Sequence, residues 1–271
     1  MSDAFRYDGK RVLVVGGATG IGAATAQMAT GLGAEVIVMD VAEINFPARQ
    51  AIKVDLRDKA SVDAAIAQID GDIHAVFSCA GVADGTRGIA LINFIAQRHL
   101  IDRLVGTSRL KRGGAVAFIG SVAGLGWNGN MAQLLEFVAQ TEWEAAVGWL
   151  AQHPEQENYT FTKQAVNAYI AAEALPLLKK GIRINGIMPG PTDTPLARAN
   201  ADTWLAFGKD YRAAADVGTL APMDMAGPLL FLCSDAATGI TGLSLLVDQG
   251  HIPASITGAY DDPIIRGMMG L

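Results

Sequence analysis

Seven short runs of β-branched and other apolar residues punctuate the chain: RVLVV, AEVIVMD, QAIKVDL, IHAVFSC, GAVAFIGS, GIRINGIMPG and LSLLVDQG. Between them lie alanine-rich stretches with helical spacing, such as the one from about Ile21 to Leu32. This alternation predicts a parallel sheet. Strands that are apolar throughout, rather than at every second position, belong to a sheet covered by helices on both faces. The expected fold class is α/β, a doubly wound parallel sheet, formed as a single domain over 1–271. A chain of this length buries a sizeable core without a second unit.

One interval departs from the alternation. In VAGLGWNGNMAQLLEFVAQTEWEAAVGWLAQHPEQEN, residues 122–158, the spacing of Leu134, Phe137 and Val138, and of Trp143, Val147 and Leu150, predicts two amphipathic helices. Thr141 and Glu144 have the spacing of a capping box for the second.

Composition narrows the partners. Of 271 residues, 51% are hydrophobic and 18% charged, and a net charge of −6 gives no electrostatic reason to expect nucleic acid. No apolar run reaches membrane-spanning length, and the opening MSDAFRYDGK lacks the basic start and apolar middle of a signal peptide, so a cytoplasmic protein without membrane contact is expected. Cys79 and Cys233 match no metal-ligand spacing and read as buried free thiols. His74, His99, His153 and His251 are scattered, and no metal site is expected.

In doubly wound sheets ligands bind outside the carboxyl ends of the strands, so residues just after each run are the ones to examine. The first run ends near Val15 and meets GGATGIG, with Gly16, Gly17, Gly20 and Gly22 interleaved with Thr19 and Ile21. Glycine permits a tight turn and close approach of a pyrophosphate, while the following helix offers free N–H groups and the positive end of its dipole. The second run ends at Asp40, about twenty residues on, where a carboxylate accepts hydrogen bonds from ribose hydroxyls and repels a 2′-phosphate. Neither Ala18, Thr19 nor Val41 supplies the cation an NADP site needs, so NAD is the expected cofactor. Asp55 and Leu56 follow the third run, and Ala80 and Gly81 the fourth, where small residues let backbone lie along the adenosine.

Ser121 stands past the fifth run, and YTFTK places Tyr159 and Lys163 one helical turn apart on a common face. Hydride transfer at a carbon bearing oxygen needs a proton donor or acceptor at that oxygen. Tyrosine ionises at about 10, too high for an efficient base near neutrality, but a neighbouring cation stabilises the phenolate. Lys163 is spaced to be that cation, and the Ser121 hydroxyl to position and polarise the same substrate oxygen.

The ordered set VGGATGIG, Asp40, VDL, CAG, Ser121, YTFTK, MPGPTDTP and SDAATGITGLSLLVDQG resembles the short-chain dehydrogenase/reductase family from Lys10 to about Gly250. The resemblance implies a Rossmann fold and a catalytic group of Ser121, Tyr159 and Lys163. It implies that Asn93 belongs to a proton relay, and that Pro189, Gly190, Thr192 and Thr194 lie against the nicotinamide end of the cofactor. It also implies a homo-oligomer, dimer or tetramer, built partly from the helices carrying Asn93 and Tyr159, a face the insertion would block or remodel.

The sequence departs from the family pattern at Val15, where a threonine is usual, at Ser78 and Cys79, where an asparagine pair is usual, and at Gln249, where glycine is common. The 122–158 insertion, with the segment between Gly81 and Asn93, resembles the bacterial 3α-hydroxysteroid and coniferyl-alcohol dehydrogenase subgroup. That points to a bulky hydrophobic alcohol or ketone, a hydroxysteroid first and an aromatic alcohol second. Trp127, Trp143, Trp149 and Trp204 are expected either to wall the substrate mouth or to pack the extra helices or a subunit contact. The extension 251–271 is expected to cover the active site of a neighbouring subunit or to pack at an interface.

Overall fold

The computed structural model describes residues 3–270. Seven parallel strands form one sheet in the order β3-β2-β1-β4-β5-β6-β7. They are β1 Arg11–Val15, β2 Glu35–Asp40, β3 Gln50–Lys53, β4 Ile73–Ser78, β5 Leu110–Ile119, β6 Arg183–Pro189 and β7 Ser244–Val247, one for each apolar run. β1 pairs with both β2 and β4, so the chain reverses its direction of growth between β1 and β4 and opens a crevice at their carboxyl ends.

The central strands are apolar throughout because both faces are covered. One face packs against α2 Lys59–Ala67, α3 Ala96–Gly106 and α6 Tyr159–Lys179, in a core that includes Leu13, Val76, Phe94, Phe118 and Tyr169. The other packs against α1 Gly20–Gly31, around Val14, Phe77 and Ala117. A cluster of leucines at 229, 230 and 232 fills that second layer from a later helix, Pro222–Cys233. Among the described residues no helix is long and apolar enough to cross a membrane.

The insertion folds as α4 Met131–Val138 and α5 Trp143–Gln152, with α4 against α6 and Trp143 of α5 edge-on to His99 of α3. Leu134, Phe137 and Val138 are buried as their spacing predicts, and Phe137 packs against both Phe94 and Phe161. In α5 the inner face is Trp143, Ala146, Trp149 and Leu150, whereas Val147 is 41% exposed. Alanine and tryptophan at the right helical angle displace the valine that sequence spacing favours. The capping box does not form either: Glu142 precedes α5 without a side-chain cap, and the Glu144 carboxylate is drawn to Lys59 at 2.8 Å.

Candidate active site

The crevice at the carboxyl ends of the strands is a cavity of about 790 Å³, within the size range of small-molecule sites. It is lined by every residue the sequence assigns to cofactor or chemistry except Gly17 and Asn93. At one end the glycine loop turns from β1 into α1. Gly16 and Gly20 adopt left-handed backbone, with φ of +79° and +56°. A Cβ at Gly16 would collide with the backbone of Ala80, and one at Gly22 with the carbonyl of Gly16. Thr19 stands before α1 without a side-chain cap, so the first-turn N–H groups have no hydroxyl or carboxylate from that position to satisfy them.

Asp40 closes this end, with Oδ2 accepting from the Ala18 amide at 2.8 Å and Oδ1 from the Ala42 amide at 3.0 Å. The carboxylate therefore holds the glycine loop as well as facing the crevice. Asp55 is tied to Arg57 at 2.7 Å, and that hydrogen bond holds its carboxyl below the usual range. Glycines that leave no room for side chains, an uncapped helix start and a fixed carboxylate make a donor set that fits a dinucleotide.

At the other end, the turn after β5 and the start of α6 bring Ser121, Tyr159 and Lys163 to one wall. The Ser121 hydroxyl accepts from the Ala123 amide at 3.1 Å, and Asn167 on α6 donates to the Gly124 carbonyl at 3.1 Å. A side chain at Gly124 would strike the Lys163 carbonyl at 2.8 Å, so glycine there lets this turn lie directly on α6. The insertion thus leaves and returns without separating Ser121 from the helix that carries Tyr159.

Asn158 caps α6 by accepting from the Phe161 amide at 2.8 Å, and the Tyr159 amide donates to Asp84 Oδ1 at 2.6 Å. Burial pushes the Tyr159 phenol up to about 12, opposed by a hydrogen bond with Ser121. Burial pulls the Lys163 ammonium down to about 8. Lys163 Nζ lies 5.6 Å from the centre of the Tyr159 ring and donates to the Ile119 carbonyl at 2.8 Å. The lowering of the tyrosine by lysine that the spacing predicts does not occur: desolvation sets the direction of the shift, a buried phenolate being costlier than the sequence alone could show.

Asn93 lies behind the wall, on a turn of π-helix, Leu91–Ile95, that leads into α3. Its side-chain oxygen accepts from the Val82 amide at 2.8 Å, and its Nδ2 donates to the Val82 carbonyl at 3.1 Å and to Thr162 Oγ1 at 3.2 Å. Thr162 in turn donates to the Tyr159 carbonyl at 2.7 Å, so Asn93 joins the loop after β4 to α6. Thr162 went unread in the sequence because a threonine inside YTFTK looks like helix filler. Asp84 went unread as well, although the Asp84-Gly85 turn signal marks where its loop bends.

The hydroxyls of Thr192 and Thr194 are engaged within the chain, the first donating to the Gly190 carbonyl at 2.9 Å, the second accepting from the Ala197 amide at 3.0 Å. Of the four tryptophans only Trp204 lines the cavity, its ring 4.8 Å from that of Tyr159. Trp143 and Trp149 lie in the core, Trp149 stacked between His153 and Phe161, and Trp127 packs against the same cluster. For these three the packing role holds. Cys233 is a buried thiol as expected, whereas Cys79 is half-buried on the cavity wall.

A parallel sheet with this strand order and crevice defines a doubly wound nucleotide-binding α/β protein. Two family models match the chain, one described as NAD dependent epimerase/dehydratase family over residues 12–173, the other as enoyl-(acyl carrier protein) reductase over 144–251. The chain is 30% identical to short-chain dehydrogenase reductase 5 of Arabidopsis thaliana, covering 93% of this chain and 98% of the relative. It is 27% identical to coniferyl-alcohol dehydrogenase of a Pseudomonas strain over 89% of this chain and 96% of that protein. A 3-alpha-hydroxysteroid dehydrogenase structure from Pseudomonas sp. B-0831, complexed with NADH, has the same fold, with a TM-score of 0.71, 24% identity, and coverage of 93% of this chain and 100% of that one. The protein belongs to the short-chain dehydrogenase/reductase family. It is an oxidoreductase of that family acting on CH–OH groups.

Proposed function

We propose that this single-domain enzyme uses NAD to interconvert a secondary alcohol and its ketone on a bulky hydrophobic substrate, in the first place a hydroxysteroid. One observation carries the reading: Ser121, Tyr159 and Lys163 share a cavity whose far end holds the glycine loop and Asp40. In oxidation the Ser121 hydroxyl donates to the substrate oxygen and fixes it beside Tyr159. Tyr159 takes the alcohol proton in its base form, which burial makes costly and which Lys163, still a cation at neutral pH with its lowered pKa, stabilises. A dinucleotide held by the glycine loop and Asp40 would supply the hydride acceptor for oxidation and the hydride donor for reduction. Asn93 holds the wall behind Tyr159 through Val82 and Thr162.

The preference for NAD rests on Asp40, and on the pairing of Arg57, the cation lining the cavity besides Lys163, with Asp55. A coniferyl-type aromatic alcohol is the second reading, favoured by the Trp204 ring over Tyr159 and by the relative that carries that name. Two free thiols suit a reducing compartment, which supports the cytoplasm.

The test is NADH formation with a panel of hydroxysteroids, aromatic alcohols and small secondary alcohols. Tyr159→Phe should lower kcat/KM by about 10²–10⁴-fold. Unchanged turnover in that variant would remove Tyr159 from the mechanism. A strong preference for NADP in the wild-type enzyme would overturn the assignment of Asp40.

A further inference from the structure

After β7 the chain folds back as two short helices, His251–Thr257 and Pro263–Met269. On the second, Ile264 and Met268 are one turn apart and line the same cavity as Tyr159 and Trp204. They are 64% and 38% exposed, whereas Ile265 beside them is fully buried. The helix is thus anchored by one side chain while a second apolar face is left open onto the cavity.

We propose that this C-terminal helix roofs the substrate end of its own chain's active site, with Ile264 and Met268 as specificity-determining side chains and the Asp262–His251 hydrogen bond as the anchor. The proposal rests on the reading above of a bulky apolar alcohol or ketone as substrate, and identifies what its distal body touches.

The anchor is built on both sides. Asp262 caps the helix by accepting from the Ile264 amide at 3.0 Å, and its other oxygen meets His251 Nε2 at 2.9 Å. His251 is 3% exposed and stacks on Tyr211 at 4.5 Å. Its ring fills the space where a Cβ at Gly208 would stand, at 2.7 Å, and Gly208 has a left-handed φ of +65°. The anchor is thereby locked to the segment that carries Trp204. At the far end the Met268 carbonyl approaches Gly126, where a Cβ would come within 2.9 Å, so the roof reaches from the Trp204 segment to the start of the insertion. Closing an apolar substrate body against Ile264 and Met268 removes these two exposed side chains from water.

The experiment compares kcat/KM for NAD-linked oxidation of a 3-hydroxysteroid and of cyclohexanol, in the wild-type enzyme and in the Ile264→Ala, Met268→Ala double variant. The steroid-to-cyclohexanol ratio should fall by about tenfold or more, with NADH affinity, read by fluorescence titration, unaltered. An unchanged ratio overturns the assignment of the two side chains. A readout independent of turnover is acrylamide quenching of tryptophan fluorescence. Asp262→Ala should raise quenching, and the rise should vanish in a Trp204→Phe background. No rise overturns the roof. If the wild-type enzyme binds NADH yet oxidises neither alcohol, the substrate reading fails by itself and quenching alone decides the roof.

Discussion

Lys163 and Tyr159 are pushed in opposite directions by the same cause, since burial disfavours whichever form is charged: the ammonium falls to about 8 and the phenol rises to about 12. For Lys163 this has a consequence for stability. The folded chain releases the proton near pH 8 and the unfolded chain near 10.5, so between those values the unfolded state binds more protons and stability increases with pH. Denaturant titrations at pH 8 and pH 10 should show the ligand-free wild-type protein gaining stability relative to Lys163→Met over that interval; an equal response from the two proteins would refute the buried, destabilised ammonium. The identities and roles at this scale were legible because YxxxK spacing, a serine past a strand and a strand-end aspartate each follow from local geometry. The direction of the tyrosine shift was not, because desolvation depends on what the rest of the chain places over the ring. Gln249 shows the same division: the sequence marks a missing glycine, and the structure gives its cost, a non-glycine residue with φ of +58°. Ser78, standing where an asparagine is usual, is a buried hydroxyl without a hydrogen-bond partner.

At the scale of elements, the insertion is held by a residue the sequence reading passed over. Arg98 on α3 is 1% exposed, donates to the Val138 and Thr141 carbonyls at 3.3 Å each, and lies 5.3 Å from the Phe94 ring centre. It ties the turn between α4 and α5 to the helix beneath. Arg98→Ala removes that packing and leaves two carbonyls without their donor, which should cost roughly 2–4 kcal/mol. Amide exchange should rise in residues 131–152 before it rises in the sheet; uniform acceleration across the molecule would contradict a local tie. Periodicity located α4 and α5 and most of their inner faces. It could not choose between Val147 and its neighbours Ala146 and Trp149, because a helical spacing of three or four admits more than one stripe, and the partner surface selects among them.

At the scale of the whole molecule, α4 packs on α6 and α5 meets α3 through Trp143 and His99. β7 remains at the sheet edge, half-buried, with exposed Leu243 nearby and Leu175 and Leu178 exposed at the end of α6. We expect a homo-oligomer that uses this edge, and light scattering should give a multiple of 28.3 kDa. A monomer alone at micromolar concentration would refute it. The sequence by itself determined the seven strands, their parallel sense and the residues at their carboxyl ends, because the strand period, the crossover rule and glycine's conformational freedom act over a few residues at a time. Tertiary structure alone decided which tryptophan faces the cavity, where the C-terminal helix lies and which groups lose their water. Those outcomes depend on contacts between segments far apart in the chain, and no local pattern records them.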